Sequence, residues 1–138
     1  MSDFIIHPQL QNDCVDVGEF DLCRLLLIND SRYPWCILVP QRSNITEIYQ
    51  LSKTDQTQLN KESIYLSQKM AETFSADKMN IAALGNVVSQ LHVHHVVRYK
   101  NDLSWPAPIW GVGDVVKYLP DDLDQMKTKM RKILSDFS

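Results

Sequence analysis

The chain has few cysteines and no excess of positive charge. Its three cysteines, Cys14, Cys23 and Cys36, are odd in number and lack Cys-x-x-Cys spacing. This usage argues against a disulfide framework and favours free thiols in a reducing compartment. The net charge of −3 argues against a nucleic-acid-binding surface, because such surfaces need clustered Lys and Arg. We therefore expect no nucleic-acid partner, although a mononucleotide would need only a few amides and polar side chains.

The chain also lacks a long apolar run, a recognisable signal peptide, a low-complexity tract and an internal repeat. Its apolar runs, such as Leu25–Ile28, are far too short to span a bilayer. At 138 residues, with 44% hydrophobic and 22% charged residues, the composition is that of a globular protein with a real core. We predict a single domain over residues 1–138, in the cytoplasm, without a membrane partner.

Four stretches have the length and composition of β-strands. They are the run from Asp21 that stops at Asn29-Asp30, the segment Trp35–Val39, the text "MNIAALGN" that ends in a turn at Gly85-Asn86, and Leu91–Arg98. Pro34 and Pro40 mark the ends of the second strand, because proline cannot donate to a β-ladder. The short loop between the first two strands indicates an antiparallel pair.

Two longer segments have helical periodicity. Residues 51–77 place apolar side chains and Ser63 on one stripe, and Ser52 with Asp55 resembles an N-terminal capping arrangement. The C-terminal segment that begins near Pro120 carries an apolar stripe of its own.

Upstream of the first strand, the text "HPQLQNDC" predicts only a short helical or irregular segment, followed by a turn at residues 17–19. Strands that pair in sequence, together with two segregated helices, indicate an α+β fold. The predicted architecture is a mainly antiparallel sheet with two principal helices.

Three of the chain's four histidines fall within "QLHVHHVVR", residues 90–98. Successive side chains of a strand point to opposite faces, so Gln90, His92 and His94 share one face. The other face is apolar apart from His95. His92 and His94 can therefore act together, whereas His95 is predicted to be a half-buried structural histidine with a satisfied hydrogen bond.

The polar face allows three interpretations. It can be the solvated side of an antiparallel sheet. It can bind zinc through His92 and His94, with His7 and the cysteines as further ligands at spacings that do not argue for coordination. Finally, a neutral imidazole can attack phosphorus and form a covalent phosphoramidate. Gln90 and the turn at residues 84–86 can supply donors for phosphate oxygens, since glycine lets the backbone approach a phosphate closely.

The stretch "GNVVSQLHVHHVVR" resembles the signature of the histidine triad (HIT) superfamily, His-φ-His-φ-His-φ-φ, where φ is apolar. Gln90 stands at the first histidine of the triad, His92 at the second and His94 at the third. The resemblance is sharper to a bacterial subgroup with a QLHxH strand, an NDxRYPW loop and a WPxPxWG tail. Those motifs read "LGNVVSQLHVH", "NDSRYPW" and "WPAPIWG" in this chain.

The resemblance implies a HIT-like nucleotide-binding fold that typically forms a homodimer. It also implies hydrolysis or transfer at the α-phosphate of a nucleotide conjugate, of the dinucleoside polyphosphate or nucleoside phosphoramidate class, through a nucleotidyl-histidine intermediate. By position, His92 would be the nucleophile and His94 a ligand of the α-phosphate. Gly85 and Asn86 fall on the Gly-Gln of the family's turn, where Asn86 would hold a non-bridging oxygen.

The resemblance also implies roles for residues outside the triad, on less specific matches. Asn29 matches a family position that often contacts the ribose, and Arg98 falls where many members carry an arginine, so both are candidates for nucleotide binding. Leu27 and Ile28 are candidates for the base pocket, although apolar strand residues are more often plain core. Gln90 completes the predicted catalytic row with the two histidines, but glutamine cannot titrate.

The resemblance implies no required cofactor, although Mg²⁺ can accompany a polyphosphate substrate. The predicted partner is a small-molecule nucleotide. Two other functional classes stay open: a non-catalytic nucleotide-binding module that keeps the pocket, and a zinc-dependent hydrolase built around His92 and His94.

Overall fold

A computed structural model describes residues 4–138, and this part of the chain folds as one five-stranded sheet with three α-helices. The elements are α1 (Pro8–Asp13), β1 (Cys14–Glu19), β2 (Cys23–Ile28), β3 (Trp35–Pro40), α2 (Lys53–Phe74), β4 (Lys78–Ala83), β5 (Val93–Arg98) and α3 (Pro120–Ser135), with a short 3₁₀ helix at Ile48–Gln50. The strand order is β1-β2-β3-β5-β4, and every neighbouring pair is antiparallel. This architecture confirms the predicted α+β class. Residues 1–3 of the predicted domain lie outside the description.

One strand was not predicted. α1 agrees with the short helical segment predicted at residues 7–14, whereas β1 runs through residues 17–19, so the turn predicted there is wrong. A β-bulge between Asp16 and Gly18 keeps both ends of β1 paired with β2. Gly18 has a φ of 151°, and a Cβ there would lie 2.6 Å from Leu134 Cδ2 of α3. The glycine that suggested a turn instead lets a helix pack closely on a bulged strand.

The two faces of the sheet have different covers. On one, called here the helix face, α2 and α3 bury a large apolar cluster that includes Leu66, Met70 and Met130. On the other, called the site face, a smaller cluster contains Leu10 of α1 and Ile37 of β3. α2 begins after Ser52, whose Oγ accepts a hydrogen bond from Asp55 N at 3.1 Å, the capping arrangement that the sequence indicated.

The loop after β2 and the tail after β5 hold each other in place. The buried Asp30 carboxylate accepts hydrogen bonds from Arg32 N, Nε and Nη2, and Arg32 Nη1 donates to Val112 O at 2.5 Å. The Tyr33 hydroxyl lies 2.9 Å from Ser104 Oγ. The motifs "NDSRYPW" and "WPAPIWG" therefore form one structural unit at the edge of the site face.

Among residues 4–138, none of the helices combines the length and the apolar character that crossing a bilayer requires.

Candidate functional site

His95 lies on the helix face, opposite to His94. Its Nδ1 is 3.0 Å from Val93 O, and its Nε2 is 2.7 Å from Ser63 Oγ of α2. A carbonyl oxygen only accepts hydrogen bonds, so Nδ1 carries the proton and Nε2 accepts from the Ser63 hydroxyl. The side chain is fully buried instead of half-buried as expected, because α2 covers this face. The separation of His95 from His94 by the strand pleat agrees with the sequence argument.

His92 precedes β5 and is held in one tautomer. Its Nδ1 lies 2.7 Å from Gln90 O, and since a carbonyl can only accept, Nδ1 must be the protonated nitrogen. In the neutral imidazole Nε2 then carries a lone pair. The residue is only 6% exposed, so this lone pair lies in a largely water-excluded place.

His94 has the complementary arrangement. The indole Nε1–H of Trp35 donates to His94 Nδ1 at 3.0 Å, so the neutral ring carries its proton on Nε2. Burial, with smaller contributions from His92 and His95, lowers the pKa of His94 to about 3. The rings of His92 and His94 are 4.9 Å apart between centroids. The pair therefore offers one lone pair and one N–H donor side by side.

The two imidazoles line a cavity of about 340 Å³ on the site face, within the usual range for small-molecule sites. Its wall comes from α1, the ends of β1 and β2, the loop at residues 84–88 (called here the glycine loop), Trp35, Trp110 and the two histidines. The individual residues are Gln9, Leu10, Asp13, Cys14, Ile28, Trp35, Leu84, Gly85, Asn86, Val87, Val88, His92, His94 and Trp110. The described wall contains no Lys or Arg.

A larger cavity, of about 420 Å³, lies under the N-terminal segment and is lined by residues 4–8, 43–46, Ser89 and Gln90. It contains neither His92 nor His94. The smaller cavity is the candidate site because it combines apolar walls with both oriented imidazoles.

The cavity brings together only part of the predicted set. Gly85 and Asn86 lie in its wall beside His92 and His94, and Ile28 contributes an apolar surface. Leu27 points to the helix-face core and is fully buried there, so its candidacy for the base pocket does not hold.

Asn29 and Arg98 are not in the cavity wall. Asn29 Oδ1 accepts a hydrogen bond from Tyr118 N at 2.9 Å and thereby holds the tail. Arg98 is 1% exposed, and its guanidinium donates to Asp102, Asn80 and Ala107 O, among others. Arg98 thus directs its polar groups to the protein interior, whereas Asn29 is half-buried. The nucleotide-binding role of both residues stays a prediction.

Gln90, predicted as a catalytic residue, also lies outside this wall. Its Nε2 donates to Ile5 O at 2.8 Å, and its Oε1 accepts from His7 N at 2.9 Å. His7 in turn caps α1, because its Nδ1 accepts from Gln9 N at 3.1 Å. The side chain of Gln90 thus fastens the N-terminal segment and, through it, the α1 wall of the cavity, while its backbone carbonyl orients His92.

We predict that Gln90→Ala affects binding more than chemistry. The loss of two hydrogen bonds should lower the free energy of unfolding by about 1 kcal/mol and free residues 5–7, which loosens α1. KM for a nucleotide substrate should rise severalfold, with kcat nearly unchanged, since the carbonyl that orients His92 remains. Steady-state kinetics and hydrogen exchange of residues 5–13 measure both effects. A hundredfold loss of kcat with residues 5–13 still protected would show that the amide takes part in catalysis.

The buried histidines also predict how stability depends on pH. Burial lowers the pKa of His95 to about 4 and is the main cause of the low pKa of His94, against an ordinary value of 6.5. The unfolded chain therefore binds more protons below pH 6.5, and the stabilisation is complete above that pH and lost as the pH falls toward 4.

At pH 5 the expected loss from His95 alone is about 2 kcal/mol. Urea unfolding at pH 7, 6 and 5 measures it, and His95→Asn should reduce the slope in this window. A free energy of unfolding that stays constant from pH 6.5 to 5 would contradict the prediction.

Zinc coordination lacks a ligand set in this geometry. Among residues 4–138, no group of three or more His, Cys, Asp or Glu side chains is arranged to hold a metal ion. The three cysteines are free thiols, and burial is the main cause that raises the pKa of each, to about 12 for Cys14. Thiolate, the form that binds zinc, is thereby disfavoured.

Two tryptophans belong to the site but received no role from the sequence. Trp35 orients His94, and Trp110 packs against the same ring with centroids 5.2 Å apart. Trp110 Nε1 is the only buried side-chain polar atom without a hydrogen-bond partner among the described residues. Trp35 lies in the motif "NDSRYPW" and Trp110 in "WPAPIWG". Their place in these motifs was the one sequence signal that could have identified them as site residues.

The fold and this cavity define an α+β protein with a paired-imidazole site on one face of an antiparallel sheet. The chain belongs to the HIT domain family, whose model matches residues 9–101, more than half of its length. A search of curated proteins found no significant match.

Solved structures show the same relationship. A histidine triad protein from Marinobacter aquaeolei VT8 is 46% identical, with a TM-score of 0.95 over 98% of both chains. One from Bradyrhizobium japonicum is 37% identical, with a TM-score of 0.92 over 95% of this chain and 98% of its own. Plasmodium falciparum diadenosine triphosphate hydrolase, at 16% identity and a TM-score of 0.63 over 97% of this chain and 82% of its own, shares the fold.

Proposed function

We propose that this protein is a nucleotide hydrolase or nucleotidyltransferase that acts at the α-phosphate of a nucleotide conjugate through a nucleotidyl-His92 intermediate. The observation that carries the proposal is the hydrogen bond from His92 Nδ1 to Gln90 O. It leaves the Nε2 lone pair of a cavity-lining imidazole as the nucleophile.

The neighbouring groups suit a phosphoryl centre. His94 presents Nε2–H, and the glycine loop adds the Asn86 side chain and the backbone around Gly85, which has no side chain to keep a phosphate away. Donors placed where negative charge accumulates stabilise the transition state without reorganisation. His92 Nε2 would form a bond to the α-phosphorus as the bond to the leaving group breaks. Water or another acceptor would then cleave the P–N bond.

The rest of the cavity suits a nucleoside. Leu10, Ile28 and Val88 provide apolar surface for a base, and Asp13 provides a carboxylate that can accept hydrogen bonds from ribose hydroxyls. We propose substrates of the dinucleoside polyphosphate or nucleoside phosphoramidate class. No cofactor is required by this scheme. Because the described wall lacks Lys and Arg, a polyphosphate would enter with Mg²⁺ to balance its charge.

The predicted homodimer and cytoplasmic location stay part of the proposal. Among the strands of residues 4–138, β4 pairs with β5 alone and is therefore an edge strand, on which Ile81 is 50% exposed. An exposed edge of this kind is suited to pairing with a second copy. Sedimentation velocity measures the oligomeric state.

The test is to trap the intermediate. Diadenosine triphosphate with Mg²⁺, or adenosine 5′-phosphoramidate, is mixed with the protein, and AMP is followed by chromatography. The reaction is quenched without acid, because acid would cleave a phosphoramidate. The protein is then digested with a protease, and mass spectrometry locates the peptide that carries an added AMP. We expect AMP release and an adduct on His92. AMP binding without either would establish the non-catalytic binding module, and activity that disappears on chelation of one bound zinc ion would establish the zinc hydrolase.

A further inference from the structure

Trp110 carries a polar group that the protein itself does not satisfy. Its indole Nε1 is shielded from solvent and has no hydrogen-bond acceptor among the described residues. Leaving a buried N–H unpaired costs folding free energy, so native proteins pair nearly all such groups. An exception that lines a cavity beside two oriented imidazoles indicates a donor whose acceptor belongs to a ligand.

The second indole of the site provides the contrast. Trp35 Nε1 donates to His94 Nδ1 at 3.0 Å, so this donor is used within the protein. Both indoles line the cavity and pack on the His94 ring, Trp35 with centroids 5.6 Å apart and Trp110 with centroids 5.2 Å apart. Two indoles thus contact the same imidazole, and the N–H of Trp110 is the one that stays available.

Resting on the proposed function, we propose that Trp110 is a substrate-binding residue whose indole N–H donates to a non-bridging oxygen of the α-phosphate. It would hold this phosphate together with Nε2–H of His94, the ring against which it packs. Since Nε1 is shielded, the indole has to rotate slightly about its contact with His94 when the phosphate enters.

The position of Trp110 decides which part of a nucleotide it meets. In the proposed reaction His92 Nε2 must touch the α-phosphorus, and the ring of His94 lies 4.9 Å from that of His92 between centroids. A side chain in contact with His94 is therefore at the phosphate end of the cavity. The apolar surface suited to a base comes from Leu10, Ile28 and Val88 instead.

The supply of donors in the cavity makes this one important. The described wall contains no Lys or Arg, so neutral N–H groups must meet the negative charge of the phosphate. Gln90 does not contribute one, because its Nε2 donates to Ile5 O. His92 Nδ1 is likewise bound to Gln90 O. An unpaired donor at the phosphate end stabilises charge without first breaking a bond inside the protein.

NMR tests the contact directly. The chain has three tryptophans, so its ¹H–¹⁵N spectrum contains three indole signals, which single Trp→Phe variants assign. We expect AMP to move the Trp110 signal downfield, as hydrogen bonding to phosphate does, and saturating adenosine to leave it in place. A signal that moves equally with both ligands, or that stays in place although AMP binds, would overturn the proposal.

Calorimetry measures what the contact contributes to affinity. Trp110→Phe keeps an aromatic ring and removes the donor. We expect AMP to bind roughly tenfold to a hundredfold more weakly, the loss typical of a hydrogen bond to a charged group, and adenosine affinity to change less than about twofold. The matched control is Trp105→Phe, an indole outside the cavity wall, which should keep both affinities. An equal loss for AMP and adenosine would show that Trp110 only shapes the cavity.

A second variant keeps the shape of the indole. Phenylalanine is smaller than tryptophan and leaves a gap beside His94. Benzothienylalanine at position 110 replaces the N–H by sulfur and preserves the two-ring system, so packing changes little. It should show the same selective loss of AMP affinity. Wild-type AMP affinity in this variant would overturn the donor role of Trp110.

Rates separate this proposal from the proposed function. With adenosine 5′-phosphoramidate, kcat/KM should fall by roughly tenfold to a hundredfold in Trp110→Phe. An unchanged rate would leave the proposed function standing and overturn the role of Trp110. Conversely, a Trp110 signal that responds to AMP alone, without AMP release or an adduct on His92, would support the contact and overturn the proposed chemistry.

Discussion

His92→Gly is expected to lower the single-turnover rate of AMP release by roughly 10⁴- to 10⁶-fold, the loss typical of removing a nucleophile from a preorganised site. The reason lies in the neighbouring ring. His94 cannot substitute as the nucleophile, because its Nδ1 is occupied by Trp35 and its Nε2 carries the proton. Rapid-quench measurement with excess protein isolates this chemical step from product release.

Free imidazole provides the control for this variant. Removal of the His92 side chain opens space in the cavity wall, and added imidazole should enter it and restore part of the rate. The product would then contain adenylyl-imidazole before it hydrolyses. Nucleotide affinity should change little, since the apolar wall and the glycine loop remain. A His92→Gly protein that retains the wild-type rate, with an adduct on His94, would reverse the assignment of the two histidines.

Arg98→Met is expected to cause the largest loss of stability, about 3–5 kcal/mol in the free energy of unfolding. Arg98 is 1% exposed, and its partner Asp102 is nearly as buried. Although burial alone would raise the pKa of Asp102, hydrogen bonds from Arg98 and from the backbone of Tyr99 and Trp105 lower it overall. Removal of the guanidinium leaves this carboxylate buried without its charge partner. Urea unfolding at pH 7 measures the loss.

Arg98→Lys separates charge from geometry. One ammonium group cannot replace Nε and Nη2, which both bond to the Asp102 carboxylate, nor reach Asn80 and Ala107 O as well. We therefore expect the lysine variant to recover less than half of the loss. Adding Asp102→Asn to Arg98→Met should cost little more, because the unpaired charge is then gone. If Arg98→Met were within 1 kcal/mol of the wild type, the buried pair would not hold the tail.

Features that depend on the local backbone conformation alone were predicted correctly from the sequence. The period of two in a strand separated His95 from His94, and the structure places them on opposite faces. The capping signal at Ser52 fixed the start of α2. In contrast, Gly18 suggested a turn because local propensity favours one, whereas pairing with β2 and packing of α3 made it a bulge.

Side-chain partners were harder to predict, because they depend on residues far apart in the chain. Gln90 looked like a member of the catalytic row, yet its amide binds backbone atoms 83 and 85 residues away. Arg98 lies on the predicted strand, but its side chain binds Asp102 and the tail. A position in a motif specifies a strand face, and only the packed neighbours decide whether that face meets a ligand or the protein.

The sequence alone determined the α+β class, the order of the principal elements and the segment that carries the two imidazoles, because hydrophobic period and turn chemistry are local properties. The tertiary structure decided which nitrogen of each imidazole is free. That choice depends on a carbonyl two residues from His92 and on an indole 59 residues from His94. Hydrogen-bond partners fix a tautomer, and the fold brings the partners together.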